Sequence, residues 1–451
     1  MLLGIVIIAV AALGLVGNVA TSGSAYAPPD NAQVVPATAE PTAEPFVPAQ
    51  FPNTDPLVAV GSLREPLTDQ TATLVPDGRV VIAGGYDGLS ISSNIETYDP
   101  HSRSFSVTGT MIDGRVEDTA TLLPDGTVLF AGGKGAGGSA LASAEIYDPT
   151  TGASRSTGSM TTPRFSASAV VLDDGRVLIV GGSDDNGPLN SAEIYDPSSG
   201  EFSPDGVLAE GSGEVTAVKM PDGSVLVSGG NGLPGPLYSA EVFDYTGGAS
   251  TPVGSMWTPR EAATSCLLQG GLVLVVGGFD PSNQVNTTAE VYDPDAAAFK
   301  GPVQLQDRRA LGTTTALQDG SVLLVGGVDD SGDPIATVEL FLPEKGVSEP
   351  IGTMATPRSG QTATLLSDGS VLIVGGRSSS TTVVADADLY IPAGTPAASP
   401  SDGLTPASLQ PAAGGSAGTS VPATANGSPA AGGSPGATVA TPTAPPAPGG
   451  S

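Results

Sequence analysis

An all-β fold, a seven-bladed β-propeller closed by an N-terminal strand, is predicted by three features of this sequence. Paired glycines recur at Gly84-Gly85, Gly132-Gly133, Gly181-Gly182, Gly229-Gly230, Gly277-Gly278, Gly326-Gly327 and Gly375-Gly376, in steps of 48 or 49 residues. Each copy holds four strand-sized segments, and four-stranded sheets repeated at this period are propeller blades. The seventh copy stops after three strands at Tyr390-Ile391-Pro392, while residues 57–63 stand before the first copy and match the fourth strand, Phe105 to Met111. A spare strand at one end and a missing one at the other predict ring closure, which removes two exposed sheet edges.

Within a copy the elements follow one order. A small, β-branched run such as Thr119–Leu123 leads into a tight turn, Asp125-Gly126 here, with Asp-Gly in six copies and Gly270-Gly271 in the fifth. Asp-Gly between apolar runs marks a hairpin because glycine accepts positive φ. The following run, Val177–Val180 in copy three, is apolar without a break, as in a strand covered on both faces. Ten or eleven variable residues separate the glycine pair from an acidic residue that opens the third strand, as in Glu193-Ile194-Tyr195-Asp196-Pro197. A fourth strand closes the copy.

The ends differ from the middle. Residues 1–27 begin with about twenty apolar residues, long enough to cross a bilayer, and are expected to be a signal peptide or a transmembrane anchor. Residues 28–56 hold eight prolines and no basic residue, the composition of a stiff linker. The propeller is expected over 57–392. The tail, 393–451, is mostly Ala, Gly, Pro, Ser and Thr and reads as disordered. Composition excludes several classes. With 16 basic and 46 acidic side chains the net charge is −30, which repels nucleic acid. One Cys and one His cannot form a disulfide framework or a Cys/His zinc site.

The Gly-Gly after an apolar strand, the Glu-x-Tyr-Asp and the Pro-Arg before the next blade resemble the kelch repeat, over all seven copies. The pattern Asp-Gly-x-Val-x-x-x-Gly-Gly is similar to the galactose-oxidase group of kelch propellers. That resemblance implies the fold; function does not follow from fold. The family usually carries Trp in the fourth strand. Here Phe105, Phe202 and Phe299 take that place in copies one, three and five, and Ser154, Ser250 and Ser348 in copies two, four and six, so thinner outer packing is expected in the even blades. The copper oxidases of the group use two His ligands, which a chain with only His101 lacks; no cofactor and no metal are expected.

Candidate site residues lie on two faces. Chain direction puts the Asp-Gly and Asp-Pro aspartates on one face, where they either bond their own backbones or hold a cation. On the other face an arginine stands ten residues before the turn in five copies: Arg115, Arg164, Arg260, Arg309 and Arg358, with Leu67 and Ser212 in the remaining two. A ring of guanidinium groups at a propeller mouth captures carboxylate or phosphate bidentately. The same arginines could instead pair with Glu96, Glu145, Glu193, Glu241, Glu290, Glu339 and Asp388, which start the third strands on that face. Trp257 is there too, suited to stack on a sugar or to pack. The oxygen-rich loops at Asp184–Gly187 and Asp329–Asp333 read as solvated turns or calcium ligands. Cys266 reads as a small core residue and His101 as exposed.

No copy has a long insertion of the kind that usually carries added catalytic residues. The function expected is therefore that of an exported, cell-surface binding or scaffold module for an extracellular glycan or protein, held to the membrane if the N-terminal segment is retained. The alternative is a carbohydrate-active enzyme without copper, of the epimerase or mutarotase kind, with Glu and Arg doing acid–base work.

Overall fold

The computed structural model describes residues 56–392 except Pro234. The expected signal or anchor (1–27), the linker up to Asp55 and the tail (393–451) lie outside the described residues. Those described form seven antiparallel blades and no helix. Blade one runs outward from the axis as Thr71–Leu74, Val80–Ala83, Asn94–Asp99 and Ser104–Thr110. Blade seven takes three strands from the end of the ring, Thr362–Leu365, Val371–Val374 and Asp386–Tyr390, and its outer strand, Leu57–Ser62, from the beginning. Leu57 lies opposite Tyr390 and Ala59 opposite Asp388, and Ile391 N–H reaches the Pro56 carbonyl at 2.9 Å. The innermost strands of blades one and seven pack side by side, so the ring closes as predicted.

The core sits between blades. Val81, Ala83 and Ile95 of blade one interlock with Ala120, Leu122, Phe130 and Tyr147 of blade two, and clusters of the same make-up recur around the ring. This is why the second strands are apolar without alternation: all four residues of Val177–Val180 are buried, since each sheet face meets another blade. Complete burial of such a side chain is worth roughly 1.5–3 kcal/mol.

The glycine pairs have one cause in all seven blades. The second glycine donates its N–H to a main-chain carbonyl of the next blade, from Gly85 to Arg115 (2.7 Å) round to Gly376 to Leu67 (2.7 Å). That carbonyl fills the space a Cβ on the first glycine would need. A methyl on Gly132 would lie 2.4 Å from Arg164 O, and one on Gly375 2.5 Å from Leu67 O. Close approach together with positive φ leaves glycine as the residue that fits.

Outer packing follows the odd–even pattern in a modified form. Tyr98–Phe105, Tyr195–Phe202 and Tyr292–Phe299 form tilted ring pairs at 4.8–5.2 Å. In even blades Ser250 and Ser348 donate to Glu241 and Glu339 instead. Tyr147 of blade two remains fully buried because Gly109 of blade one comes against its ring, within 2.8 Å of where a Cβ would stand.

Candidate functional site

The five arginines sit in the segments that enter blades two, three, five, six and seven, and none is more than 3% exposed. Arg260 shows the arrangement. Its Nη1 donates to the carbonyls of Gly277 and Thr288, and its Nη2 to Thr288 Oγ1 and Glu290 Oε1, all at 2.8 Å. Glu290 also accepts the N–H groups of Trp257 (2.7 Å) and Thr258 (3.1 Å). The pairs Arg115–Glu145 (3.1 Å), Arg164–Glu193 (3.0 Å), Arg309–Glu339 and Arg358–Asp388 complete the set. Each clamp ties the entering segment to the third strand of its own blade, and the first four also bond the glycine carbonyl that follows the second strand. Burial pulls Arg164, Arg260 and Arg358 below the ordinary guanidinium value, opposed by the partner carboxylate. Burial also pushes Glu339 up, but Arg309 and the Ser348 hydroxyl outweigh it and hold the carboxyl below its usual range.

The ligand-facing ring expected of Arg115, Arg164, Arg260, Arg309 and Arg358 is therefore not how these side chains lie. A guanidinium inside the blade, with its forks on protein acceptors, offers no edge to an external anion. In the two blades without arginine, Ser212 Oγ reproduces one of the bonds, to Gly229 O at 2.7 Å. Glu96 accepts only main-chain N–H, from Arg64, and burial raises its carboxyl above the ordinary value. Trp257 is 70% exposed: its backbone serves the clamp while its indole faces solvent, apart from the arginine chemistry.

The opposite face is explained by its turns. Asp77, Asp125, Asp174, Asp222, Asp319 and Asp368 each accept the N–H two residues on, at 3.0–3.1 Å, as do the Asp-Pro aspartates such as Asp148 and Asp196. Asp184 and Asp329 bond their own loops likewise. Cys266 is buried in blade five, and burial pushes its thiol up to about 12.

A second ring lies two residues beyond the clamp positions. Asp69, Glu117, Ser166, Glu214, Ala262, Leu311 and Gly360 all take φ between 48° and 65°. Their backbones join blade to blade around the axis: Ser166 N–H donates to Glu117 O (2.9 Å), Gly360 to Leu311 O (3.2 Å) and Asp69 to Gly360 O (2.9 Å). Left-handed φ costs a non-glycine residue about 1–3 kcal/mol, and such strain gathers at functional sites. On one side of this axial mouth the charges are paired. Asp69 meets Arg377 at 2.8 Å. Glu117 meets Lys134 at 3.0 Å and Ser166 Oγ at 2.8 Å, and Lys134 lies 3.8 Å over the Phe165 ring. On the other side, Glu214 and Glu261 have no hydrogen bond or ion pair to their carboxylates among the described residues. Burial, with the charges of Glu261 and Glu117, pushes Glu214 up to about 7, and burial raises Glu261. Beside them Phe279 and Leu311 are half-buried on Val285, Ala310 and Val328.

Sequence reasoning centred on the arginines passed over this ring. The signal was present: two residues after a column that is mostly arginine stands a column that holds six residue types in seven copies.

The model of the kelch motif matches residues 70–112 and 164–204, which lie in blades one and three. The chain is a β-propeller that carries the kelch motif. Among solved structures this propeller is similar to a fungal alcohol oxidase of the AA5 family, described in complex with copper, at 19% identity and a TM-score of 0.60 over 74% of this chain and 76% of that one. At that identity the likeness shows the fold alone. No curated protein matches the chain. The residues of this kelch propeller do not fit a copper centre of that kind. Its one histidine, His101, is 79% exposed on an Asp-Pro turn, and among the described residues no three metal-binding side chains of the His, Cys, Asp or Glu types come together.

Proposed function

We propose that this kelch propeller is an exported binding module that takes a protein partner at its axial mouth through a basic side chain. One observation carries the reading. The blades repeat their clamps, glycine pairs and turns, yet the ring at the mouth changes from Asp to Glu, Ser, Ala, Leu and Gly around the axis while keeping one backbone conformation. Positions that keep their geometry and change their chemistry form an individual surface on a repetitive frame. Unpaired Glu214 and Glu261 beside half-buried Phe279 and Leu311 suit a cationic head on an apolar stem. Export rests on the apolar run Met1–Ala20.

The test is binding of the purified chain to immobilised peptides rich in lysine and arginine, with acidic peptides and neutral and acidic glycans beside them. The reading expects retention on the basic peptides, stronger at pH 8 than at pH 6 as Glu214 ionises, and lost in Glu214→Gln/Glu261→Gln. Retention on glycans alone would overturn it. A second reading, acid–base catalysis on a carbohydrate, is favoured by a single feature: a carboxyl titrating near neutrality is suited to exchange protons. Turnover abolished by Glu214→Gln would select it.

A further inference from the structure

Fourteen residues before each glycine pair, one position faces the seam with the preceding blade. It holds Gln70, Asp118 and Gln361 in blades one, two and seven, and Ala167, Val215, Ala263 and Gly312 in the others. The glutamines show what the position does: Gln70 Nε2 donates to Val374 O of blade seven at 2.8 Å, and Gln361 Nε2 to Val325 O of blade six at 2.9 Å. Each pins an inner strand to the blade before it. Asp118 has the same placement, with its Cβ against Gly133 as Gln70 Cβ is against Gly85. It is 4% exposed, and neither carboxyl oxygen has a hydrogen-bond partner.

A buried carboxylate with no donor is among the most costly groups a fold can carry, and it escapes the cost by taking up a proton. We propose that Asp118 is carried as a neutral carboxylic acid and makes the seam of blades one and two pH-sensitive, the seam being weakened when it ionises. Of the charged groups around it only Arg115 favours the anion, and burial outweighs it. Arg115, three residues before, is engaged by Glu145, Glu117 is held by Lys134, and the facing end of blade one, Val80–Ala83 with Gly84 and Gly85, carries no charge. Burial dominates, opposed by Arg115 and reinforced by Glu145, and brings the group to about 7. The sign follows. The unfolded chain loses this proton near the ordinary Asp value of 3.8; the folded chain holds it to about neutrality. Stability therefore falls as pH rises between those values and levels off above the second. Glu117 of the mouth immediately precedes Asp118 in the chain.

Thermal unfolding of the full chain and of Asp118→Asn, measured from pH 5 to pH 9, tests this. The wild-type midpoint should drop relative to the variant as pH rises, with the difference settling above pH 8; parallel profiles overturn the proposal. Asp118→Gln, which restores the amide found at 70 and 361, should unfold later than wild type at pH 8. A readout independent of stability is the infrared difference spectrum between wild type and Asp118→Asn. At pH 6 it should contain a protonated-carboxyl band that vanishes by pH 9, and a carboxylate band alone at pH 6 overturns the proposal.

Discussion

Arg260 and Glu261 are neighbours in the chain and belong to different parts of the molecule. Arg260 is fully buried, with four hydrogen bonds into its own blade. Glu261 bridges its backbone to Phe279, while its carboxylate, raised by burial, has no partner. The clamp and the mouth are equally regular in backbone. They differ in side chain because the clamp must meet the same carbonyls and carboxylate in each blade, whereas the mouth meets only the axis. A repeat protein thus keeps its architecture where every copy faces its own fixed acceptors, and keeps freedom where the copies face a shared space.

The comparison breaks hardest at the clamp. Arg260→Ala leaves Glu290 buried with its main-chain donors alone, a loss of about 3–5 kcal/mol, read from urea denaturation. Glu290→Gln, which keeps shape and removes the charge, should cost about 2 kcal/mol. Blade one sharpens the contrast, because Glu96 has no arginine. Its folded value is raised, so the unfolded chain ionises first as pH climbs, and Glu96 subtracts stability above the ordinary Glu range. Glu96→Gln should therefore cost less than half as much as Glu290→Gln, and its relative stability should improve from pH 4 to pH 7. At the mouth effects on folding are smallest. Leu311→Ser should shift the midpoint by less than about 1 kcal/mol while weakening capture of a basic peptide, checked by the same denaturation and by binding isotherms.

How much of this was legible follows from the same division. Ring closure, the strand order and the paired glycines could be read because they recur: Gly84, Gly132 and Gly375 each answer to the same intruding carbonyl. The partners of the arginines could be named, since Glu145 and Glu290 recur in step with them. Whether those arginines faced solvent could not, because burial depends on how deeply the entering segment sits between blades, which no single copy encodes. Odd-blade Phe105 and Phe202 were legible as outer packing. The cover that Gly109 gives Tyr147 was not, since it comes from another blade. The mouth escaped for the opposite reason: Glu117, Ser166, Ala262 and Leu311 share no side-chain chemistry, and what unites them beyond their place in the repeat is a shared φ.

The most direct test of the account is urea denaturation of Arg260→Ala beside Glu261→Ala in the same buffer at pH 7. The account predicts a loss of about 3–5 kcal/mol for the first and a change within about 0.5 kcal/mol for the second, with retention on basic peptides reduced only by the second among variants still folded. Equal losses from the two neighbours would contradict the division of clamp from mouth on which the whole reading stands.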